Sequence, residues 1–202
     1  MRYTKMVENV TWQSFQPRER RWSLLGQRPV IVWLTGLPGS GKTSIANVVD
    51  RRLSNESRHS LILDGDNLRH GLNRDLGFST ADRSENVRRT AETARLISES
   101  GLITIIALVS PIRAEREMAR QIASDLPFLE VFIDTPLEIC ERRDPKGLYS
   151  LARAGKIGQF TGVSAPYERP LQPDLVVSTE NISPDASAFS VIKAVMSISC
   201  LN

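Results

Sequence analysis

The sequence Gly-Leu-Pro-Gly-Ser-Gly-Lys-Thr at residues 36–43 determines how this chain folds. It follows an apolar run at 30–35 and opens a helical pattern at 42–53. The GxxxxGK[ST] spacing between a strand and a helix is typical of loops that bind nucleoside triphosphates, and a plain glycine-rich turn is the alternative. Glycines let the backbone N–H groups and the helix N-terminus face a phosphate. The expected nucleotide-binding residues are Gly36, Leu37, Pro38, Gly39, Ser40, Gly41, Lys42 and Thr43.

The last two residues of this loop carry different chemistry. Lys42 is expected to reach the β- and γ-phosphates, and Thr43 offers a hydroxyl ligand to Mg²⁺. The NKxD signature of guanine-specific enzymes does not occur in the sequence. A short chain with this loop and a second set of anion-binding residues therefore suggests a kinase that acts on a small molecule.

Strand and helix patterns alternate along the rest of the chain. This alternation predicts an α/β fold with three layers, α/β/α, around a mainly parallel sheet, as in the P-loop NTPases. The expected strands are 30–35, 61–64, 102–109, 129–134 and, more weakly, 174–178. The expected helices are 42–53, 82–100, 111–125 and 136–143. A serine or threonine directly before a proline predicts an N-cap, which applies to Ser110, Thr135 and Ser183. Asp82 with Glu85 resembles a capping box.

The composition bounds the domain organisation. The 202 residues suffice for one domain, expected at 29–202, and residues 1–28 form a basic leader of net charge +4 in a chain of net charge +3. The leader either covers an anionic ligand or is a solvated tail, with Trp12, Phe15 and Trp22 as isolated anchors. Residues 144–173 are rich in glycine, proline and basic residues, which predicts a lid.

The composition also excludes several classes of protein. Hydrophobic residues make up 41% and charged residues 24%, which disfavours a disordered chain. Two cysteines without CxxC spacing disfavour a disulfide framework or a zinc site and favour a reducing compartment. No apolar run is long enough to cross a bilayer, and no secretory signal is recognisable. We therefore expect a cytoplasmic protein that binds neither membrane nor nucleic acid.

Polar residues after the second expected strand suggest an acceptor site. Asp64 and Asp66 lie at the end of the strand, where one carboxylate could hold Mg²⁺ or take a proton from an attacking hydroxyl. The alternative is an Asp-Gly turn in which Asp66 caps the next helix. Downstream, Arg69, Arg83 and Asn86 could grip an anion. Phe78 is either a stacking platform for a base or a buried anchor under a loop.

At these residues the sequence resembles the adenylylsulfate kinase family. The resemblance covers residues 11–177 and rests on long motifs: LDGDNLRHGLNRDLGFS at 63–79, DRSENVRR at 82–89, SPIR at 110–113, RDPKGLY at 143–149 and FTG from 160. It implies transfer of the γ-phosphate from MgATP to the 3′-hydroxyl of adenosine 5′-phosphosulfate. The product would be 3′-phosphoadenylyl sulfate, formed in sulfate assimilation.

The resemblance also implies roles for individual residues. Asp66 is the candidate base and a magnesium ligand beside Thr43, and Lys146 belongs to a lid over the reacting phosphates. Arg69, Arg83 and Asn86 would bind the phosphosulfate. The rings of Phe78 and Phe160 would stack on the two faces of the adenine. Family resemblance associates Ser110 with a phosphoserine intermediate, although an N-cap role needs no catalysis. It further suggests a homodimer.

The sequence departs from the family pattern at three positions. Thr43 stands where many relatives have serine, Gln13 where histidine is common, and Ile112 where an aromatic residue is frequent. None of these removes a group with a chemical role, but ordering of the leader and substrate affinity are left open. The rivals are a kinase for a sugar acid or nucleoside, and a nucleotide-binding regulatory subunit with a degenerate acceptor site.

Overall fold

The computed structural model describes residues 11, 13 and 15–201. Trp12 and the first ten residues of the leader lie outside the described residues. The strands are β1 (Ile31–Thr35), β2 (Ser60–Asp64), β3 (Ile103–Ala107), β4 (Phe128–Asp134) and β5 (Leu175–Ser178). The helices are α1 (Arg18–Leu25), α2 (Lys42–Asn55), α3 (Gly65–His70), α4 (Thr80–Glu99), α5 (Arg113–Ile122), α6 (Leu137–Arg143), α7 (Leu148–Arg153) and α8 (Pro184–Ser199).

The five strands form one parallel sheet in the order β2-β3-β1-β4-β5. The central strand β1 pairs with β3 on one side, where Ile31 faces Thr104, and with β4 on the other, where Ile31 faces Phe128. Parallel strands place all their carboxyl ends at one edge, where ligands bind in open α/β sheets. The predicted α/β fold with a mainly parallel sheet is confirmed.

Helices cover both faces of the sheet, as the three-layer prediction requires. Alternate residues of β1 point to opposite sides, because side chains alternate along a strand. Val32 and Leu34 pack with α2 and α8, and Ile31 and Trp33 pack with α4 and α5. All four side chains are fully buried, so β1 is apolar on both faces.

The helix starts match the capping predictions only in part. Ser183 caps α8 and accepts a hydrogen bond from the Ala186 N–H, as predicted. The predictions for Ser110 and Thr135 are wrong, because α5 starts from Ile112 and α6 from Pro136 without side-chain caps.

The hydroxyls of Ser110 and Thr135 form tertiary hydrogen bonds instead of helix caps. Trp33 Nε1 donates to Ser110 Oγ at 3.0 Å, and Thr135 Oγ1 donates to the Ser40 carbonyl at 3.0 Å. The capping box of α4 pairs Ser79 with Asp82, and the prediction that pairs Asp82 with Glu85 is wrong.

Two segments for which no helix is expected, the leader and the lid, contain helices. The leader ends in α1, whose Trp22 indole donates to the Glu99 carbonyl at 3.3 Å and whose Arg18 pairs with Asp125. The predicted lid contains α7, and its last part is anchored, since the Glu168 N–H donates to the Pro111 carbonyl at 2.8 Å. Short helices held by tertiary contacts carry little periodic signal, which explains why the sequence does not reveal them.

The contact between α1 and the body of the domain leads to a stability prediction. Gly101 has φ +105°, and a Cβ there would lie 2.7 Å from Leu25 Cδ1 and 3.2 Å from Trp22 Cδ1. We expect Gly101→Ala to lower the free energy of unfolding by about 1–3 kcal/mol, measured by urea denaturation.

A matched control separates backbone strain from the clash with α1. Gly155 also has positive φ, +70°, but a Cβ there meets no described atom within 4 Å. Gly155→Ala should therefore cost only backbone strain, about 1 kcal/mol. Equal losses in the two variants would show that the packing of α1 against Gly101 contributes nothing.

Candidate active site

The phosphate loop, residues 36–43, lies at the carboxyl end of β1. Side chains from other segments donate hydrogen bonds to its carbonyl groups and hold it in place. The Ser40 carbonyl accepts hydrogen bonds from Thr135 Oγ1 and Thr179 Oγ1, both at 3.0 Å. A Cβ at Gly36 would lie 2.7 Å from the Ile133 carbonyl oxygen, so only glycine fits this approach. The Ser40 N–H donates to the Leu37 carbonyl at 3.1 Å within the loop. N–H groups of a glycine-rich loop that are not bonded in this way can face an anion.

Lys42 folds its amine back into the phosphate loop. Its Nζ donates to the carbonyls of Gly36 at 2.8 Å and Leu37 at 2.7 Å. Burial lowers the pKa of Lys42 to about 8, because it disfavours the charged amine more than the nearby Cys140, Asp64 and Asp66 favour it. The amine sits among the loop atoms that are predicted to surround the phosphates.

Thr43 and Asp64 form the oxygen pair nearest the loop. Thr43 Oγ1 donates to Asp64 Oδ2 at 2.8 Å. Asp64 is the N-cap of α3, and its other carboxylate oxygen accepts from the Asp66 N–H at 2.9 Å. Mg²⁺ favours oxygen ligands and usually takes one or two protein groups plus phosphates and waters. A hydroxyl and a carboxylate fit that demand, and no cluster of three or more metal-ligating side chains occurs among the described residues.

Asp66 lies on the exposed side of α3 and contacts the predicted lid. Its carboxylate forms an ion pair with Lys146 Nζ. The structure therefore brings Asp66 and Lys146 together, while Asp64 rather than Asp66 contacts Thr43. Sequence analysis named both aspartates but did not separate their environments, since the two are only two residues apart.

Arg69 and Arg83 surround the ring of Phe78. Arg69 Nη1 donates to the carbonyls of Leu76 and Gly77, and its guanidinium carbon lies 4.4 Å from the ring centroid of Phe78. Arg83 lies 5.6 Å from the same centroid. Phe78 itself remains 62% exposed, so it is not a buried anchor under the loop.

Arg83 also joins two segments of the site. Its Nε donates to the Phe78 carbonyl at 3.0 Å, and its Nη2 donates to the Gln159 carbonyl at 2.8 Å. Burial lowers the pKa of Arg83, as does the charge of Arg69, whereas the charge of Glu115 opposes the shift. One guanidinium thus links the chain beside Phe78 to the chain beside Phe160.

Asn86 and Glu115 are buried polar residues near these arginines. Asn86 lies one turn after Arg83 in α4, and its Oδ1 accepts from Asn73 Nδ2 at 2.8 Å. Glu115 is buried, and its Oε2 has no hydrogen-bond partner among the described residues. Burial raises the pKa of Glu115 against the attraction of Arg83 and Arg116. Sequence analysis missed Asn73 and Glu115, because neither position stands out from ordinary polar residues.

Phe160, the second predicted stacking residue, packs on a residue that sequence analysis missed. The rings of Tyr149 and Phe160 form a T-shaped pair, with centroids 4.9 Å apart and planes at 82°. Tyr149 lies within the RDPKGLY motif, which was the only signal for it.

Ser110 is part of the scaffold of the sheet edge. Its side chain is 2% exposed, accepts from Trp33 Nε1 and donates to Thr35 Oγ1 at 3.1 Å. The backbone at Ser110 has φ +37°, a conformation that non-glycine residues rarely adopt. The hydroxyl is therefore engaged inside the protein rather than presented to a phosphoryl donor.

Comparisons with known proteins agree on one family. The adenylylsulphate kinase family matches residues 28–178. The adenylyl-sulfate kinase of Vibrio vulnificus (strain YJ016) is 50% identical over 169 residues, which cover 83% of this chain and 82% of that protein. The bifunctional enzyme NodQ of Rhizobium sp. (strain BR816) is 51% identical over 188 residues, 93% of this chain and 30% of that protein. The chain thus spans less than a third of the length of this bifunctional relative.

A solved structure agrees with the fold and with the sequence match. The Mycobacterium tuberculosis APS kinase CysC, determined in complex with AMPPNP and APS, superposes with a TM-score of 0.81 and is 50% identical. The match covers 84% of this chain and 98% of that one.

The burial of Lys42 predicts a pH-dependent stability. The pKa of Lys42 is about 8 in the folded chain against 10.5 as the ordinary value, so the folded state binds fewer protons between these values. The free energy of unfolding therefore gains a term that rises with pH between these values, by about 3 kcal/mol in total.

Lys42→Met provides the comparison that isolates this term. In nucleotide-free buffer, the stability difference between wild type and Lys42→Met should shift in favour of wild type from pH 8 to pH 10. Urea denaturation at several pH values measures it. A difference that stays constant with pH would show that burial does not lower the pKa of Lys42.

Proposed function

Because this chain belongs to the adenylylsulphate kinase family, we propose that it transfers the γ-phosphate of ATP to the 3′-hydroxyl of adenosine 5′-phosphosulfate. The product would be 3′-phosphoadenylyl sulfate. The observation that carries the proposal is the hydrogen bond from Thr43 to Asp64. It joins the loop built for a triphosphate to the segment that bears Asp66 and Arg69, so donor and acceptor groups share one end of the sheet.

The donor half of the reaction depends on the phosphate loop. Its N–H groups, the N-terminus of α2 and the amine of Lys42 would surround the β- and γ-phosphates and stabilise charge on the transferred group. Thr43 and Asp64 would hold Mg²⁺, with Asp66 close by. When bound, Mg²⁺ neutralises charge on the phosphate oxygens.

The acceptor half depends on Asp66 and the lid. The Asp66 carboxylate would accept the proton of the 3′-hydroxyl as that oxygen bonds to the γ-phosphorus and the bond to ADP breaks. Lys146, which pairs with Asp66, would then place a positive charge beside the transferred group. Because Ser110 is buried and hydrogen-bonded, we favour direct in-line transfer without a phosphoserine.

Two aromatic rings and two arginines would select the acceptor. Arg69 and Arg83, with Asn86, would hold the phosphosulfate, and Phe78 and Phe160 would stack on the two faces of the adenine. Stacking contributes about 1–3 kcal/mol per base, and guanidinium matches the oxygens of phosphate or sulfate. This set supports the sulfated adenylate over the sugar acid that a rival kinase would take.

The proposal extends to assembly and location. We propose a homodimer in the cytoplasm, which light scattering and fractionation would test. Among the described residues, no helix is both long enough and apolar enough to cross a membrane.

Removal of the candidate base tests the reaction. Wild type with ATP and adenosine 5′-phosphosulfate should release ADP in a coupled assay, and Asp66→Asn should lower kcat by about 100-fold or more. Binding of ATP, measured by calorimetry, should stay within about twofold, because the loop is unchanged.

A distant carboxylate serves as the control for Asp66. Asp185 is an exposed aspartate that pairs with Arg51 at the start of α8, so Asp185→Asn should retain the wild-type rate. An unaltered rate in Asp66→Asn would remove its assigned role. ATP binding by wild type without phosphorylation of the sulfated adenylate would favour the regulatory-subunit alternative.

Loss of a stacking ring tests acceptor selection. We expect Phe78→Ala to raise KM for adenosine 5′-phosphosulfate by about 5- to 100-fold, because one face of the adenine loses its partner. Its KM for ATP should change little. Leu72→Ala, at another exposed apolar side chain near the acceptor segment, is the control. Equal effects in the two variants would favour a kinase with a different acceptor.

A further inference from the structure

Tyr149 lies in the predicted lid and its backbone is firmly held. It belongs to the first turn of α7, where the carboxylate of Asp144 accepts hydrogen bonds from the Tyr149 N–H and the Ser150 N–H, both at 3.0 Å. The side chain is only 3% exposed. A buried tyrosine whose backbone is hydrogen-bonded in this way can hold its neighbours at set distances.

The side chain of Tyr149 touches both halves of the site. Its hydroxyl donates to the carbonyl of Pro38 in the phosphate loop at 2.9 Å. Its ring and the Phe160 ring form a T-shaped pair, with 4.9 Å between the centroids. Edge-to-face contact is a favoured arrangement of aromatic rings, and it fixes the tilt of both. Burial raises the pKa of Tyr149, so the phenol keeps its proton and remains a donor.

The chain after Phe160 packs against the phosphate loop and Tyr149. Gly162 has φ +91°, and a Cβ there would lie 3.1 Å from Leu37 Cδ2 and 3.8 Å from the Tyr149 hydroxyl. The Gly162 N–H donates to the Ala165 carbonyl at 2.8 Å, which closes the turn. Phosphate loop, Tyr149 and the turn that carries Phe160 therefore form one continuous contact.

We propose that Tyr149 is a positioning residue that fixes the Phe160 ring relative to the phosphate loop, and so sets where the acceptor adenine stacks. The inference rests on the proposed function. In-line transfer needs the acceptor hydroxyl within about 3–3.5 Å of the phosphorus, so the ring that holds the adenine must keep a fixed distance from the loop. Tyr149 supplies that distance through one hydrogen bond and one ring contact.

Two substitutions separate the two contacts of Tyr149. Tyr149→Leu loses both and should raise KM for adenosine 5′-phosphosulfate by about 2- to 10-fold. Its Kd for ATP should stay within about twofold, because Pro38 offers only a carbonyl to Tyr149. Tyr149→Phe keeps the ring contact with Phe160, so KM for the acceptor should stay near wild type. Its kcat should fall by about 2- to 10-fold as the loop loses its bond to the lid.

A double-mutant cycle shows whether Tyr149 acts through Phe160. In a Phe160→Ala background, Tyr149→Leu should change the acceptor KM by less than about twofold, since the ring to be positioned is gone. Multiplicative effects of the two substitutions would overturn the proposal. Tyr167→Phe is the matched control: it removes a hydroxyl that pairs with Thr35 Oγ1 at 2.9 Å, away from Phe160. It should leave the acceptor KM of the Phe160→Ala chain unchanged.

A measurement without substrate separates this inference from the proposed function. Hydrogen exchange at the Gly162 amide should speed up about 2- to 10-fold in Tyr149→Leu or Tyr149→Phe, and stay unchanged in Tyr167→Phe. Unchanged exchange in both Tyr149 variants would overturn the positioning role. If Tyr149→Leu does not fold, Tyr149→Phe carries the kcat and exchange tests. Inactive wild type with faster exchange in the variants would remove the proposed function while leaving the positioning of the turn intact.

Discussion

A loop that presents its backbone N–H groups to a polyanion must bond its carbonyl groups elsewhere. In this protein the partners come from four different parts of the chain. Thr135 after β4 and Thr179 after β5 donate to Ser40, Tyr149 of α7 donates to Pro38, and Lys42 donates to Gly36 and Leu37. This requirement explains why the strand ends, the lid and the first helix turn all converge on residues 36–43.

The phosphate loop also contains a buried charged group, the amine of Lys42. A buried amine at Lys42 costs stability, and the hydrogen-bonded Asp64 opposes that cost only in part. Glu115 repeats the pattern on the acceptor side, where one buried carboxylate oxygen has no hydrogen-bond partner among the described residues and faces the charge of Arg83. Binding sites for anions commonly carry such costs, because the groups are arranged for the ligand rather than for the folded chain alone.

Local signals in the sequence predict the sheet well and the side-chain contacts less well. The apolar runs and the glycine-rich loop place β1, β2, β4 and β5 to within about one or two residues, because burial and turn chemistry are local properties. The Ser110-Pro111 pair has the local chemistry of an N-cap, yet Trp33 and Thr35 of the neighbouring strand β1 form hydrogen bonds with the hydroxyl. Tyr149 gives no local sign of its contacts, since Pro38 is distant in the chain and Phe160 lies beyond the end of α7.

The proposed reaction requires the phosphate loop and the rings of Phe78 and Phe160 to form one pocket for a single in-line transfer. A crystal structure of wild type with a non-hydrolysable ATP analogue and adenosine 5′-phosphosulfate tests this most directly. It should show the adenine between Phe78 and Phe160, and the 3′-hydroxyl beside Asp66 facing the γ-phosphate at Lys42. A sulfated adenylate bound away from these rings, or with its 3′-hydroxyl turned from the γ-phosphate, would contradict the account.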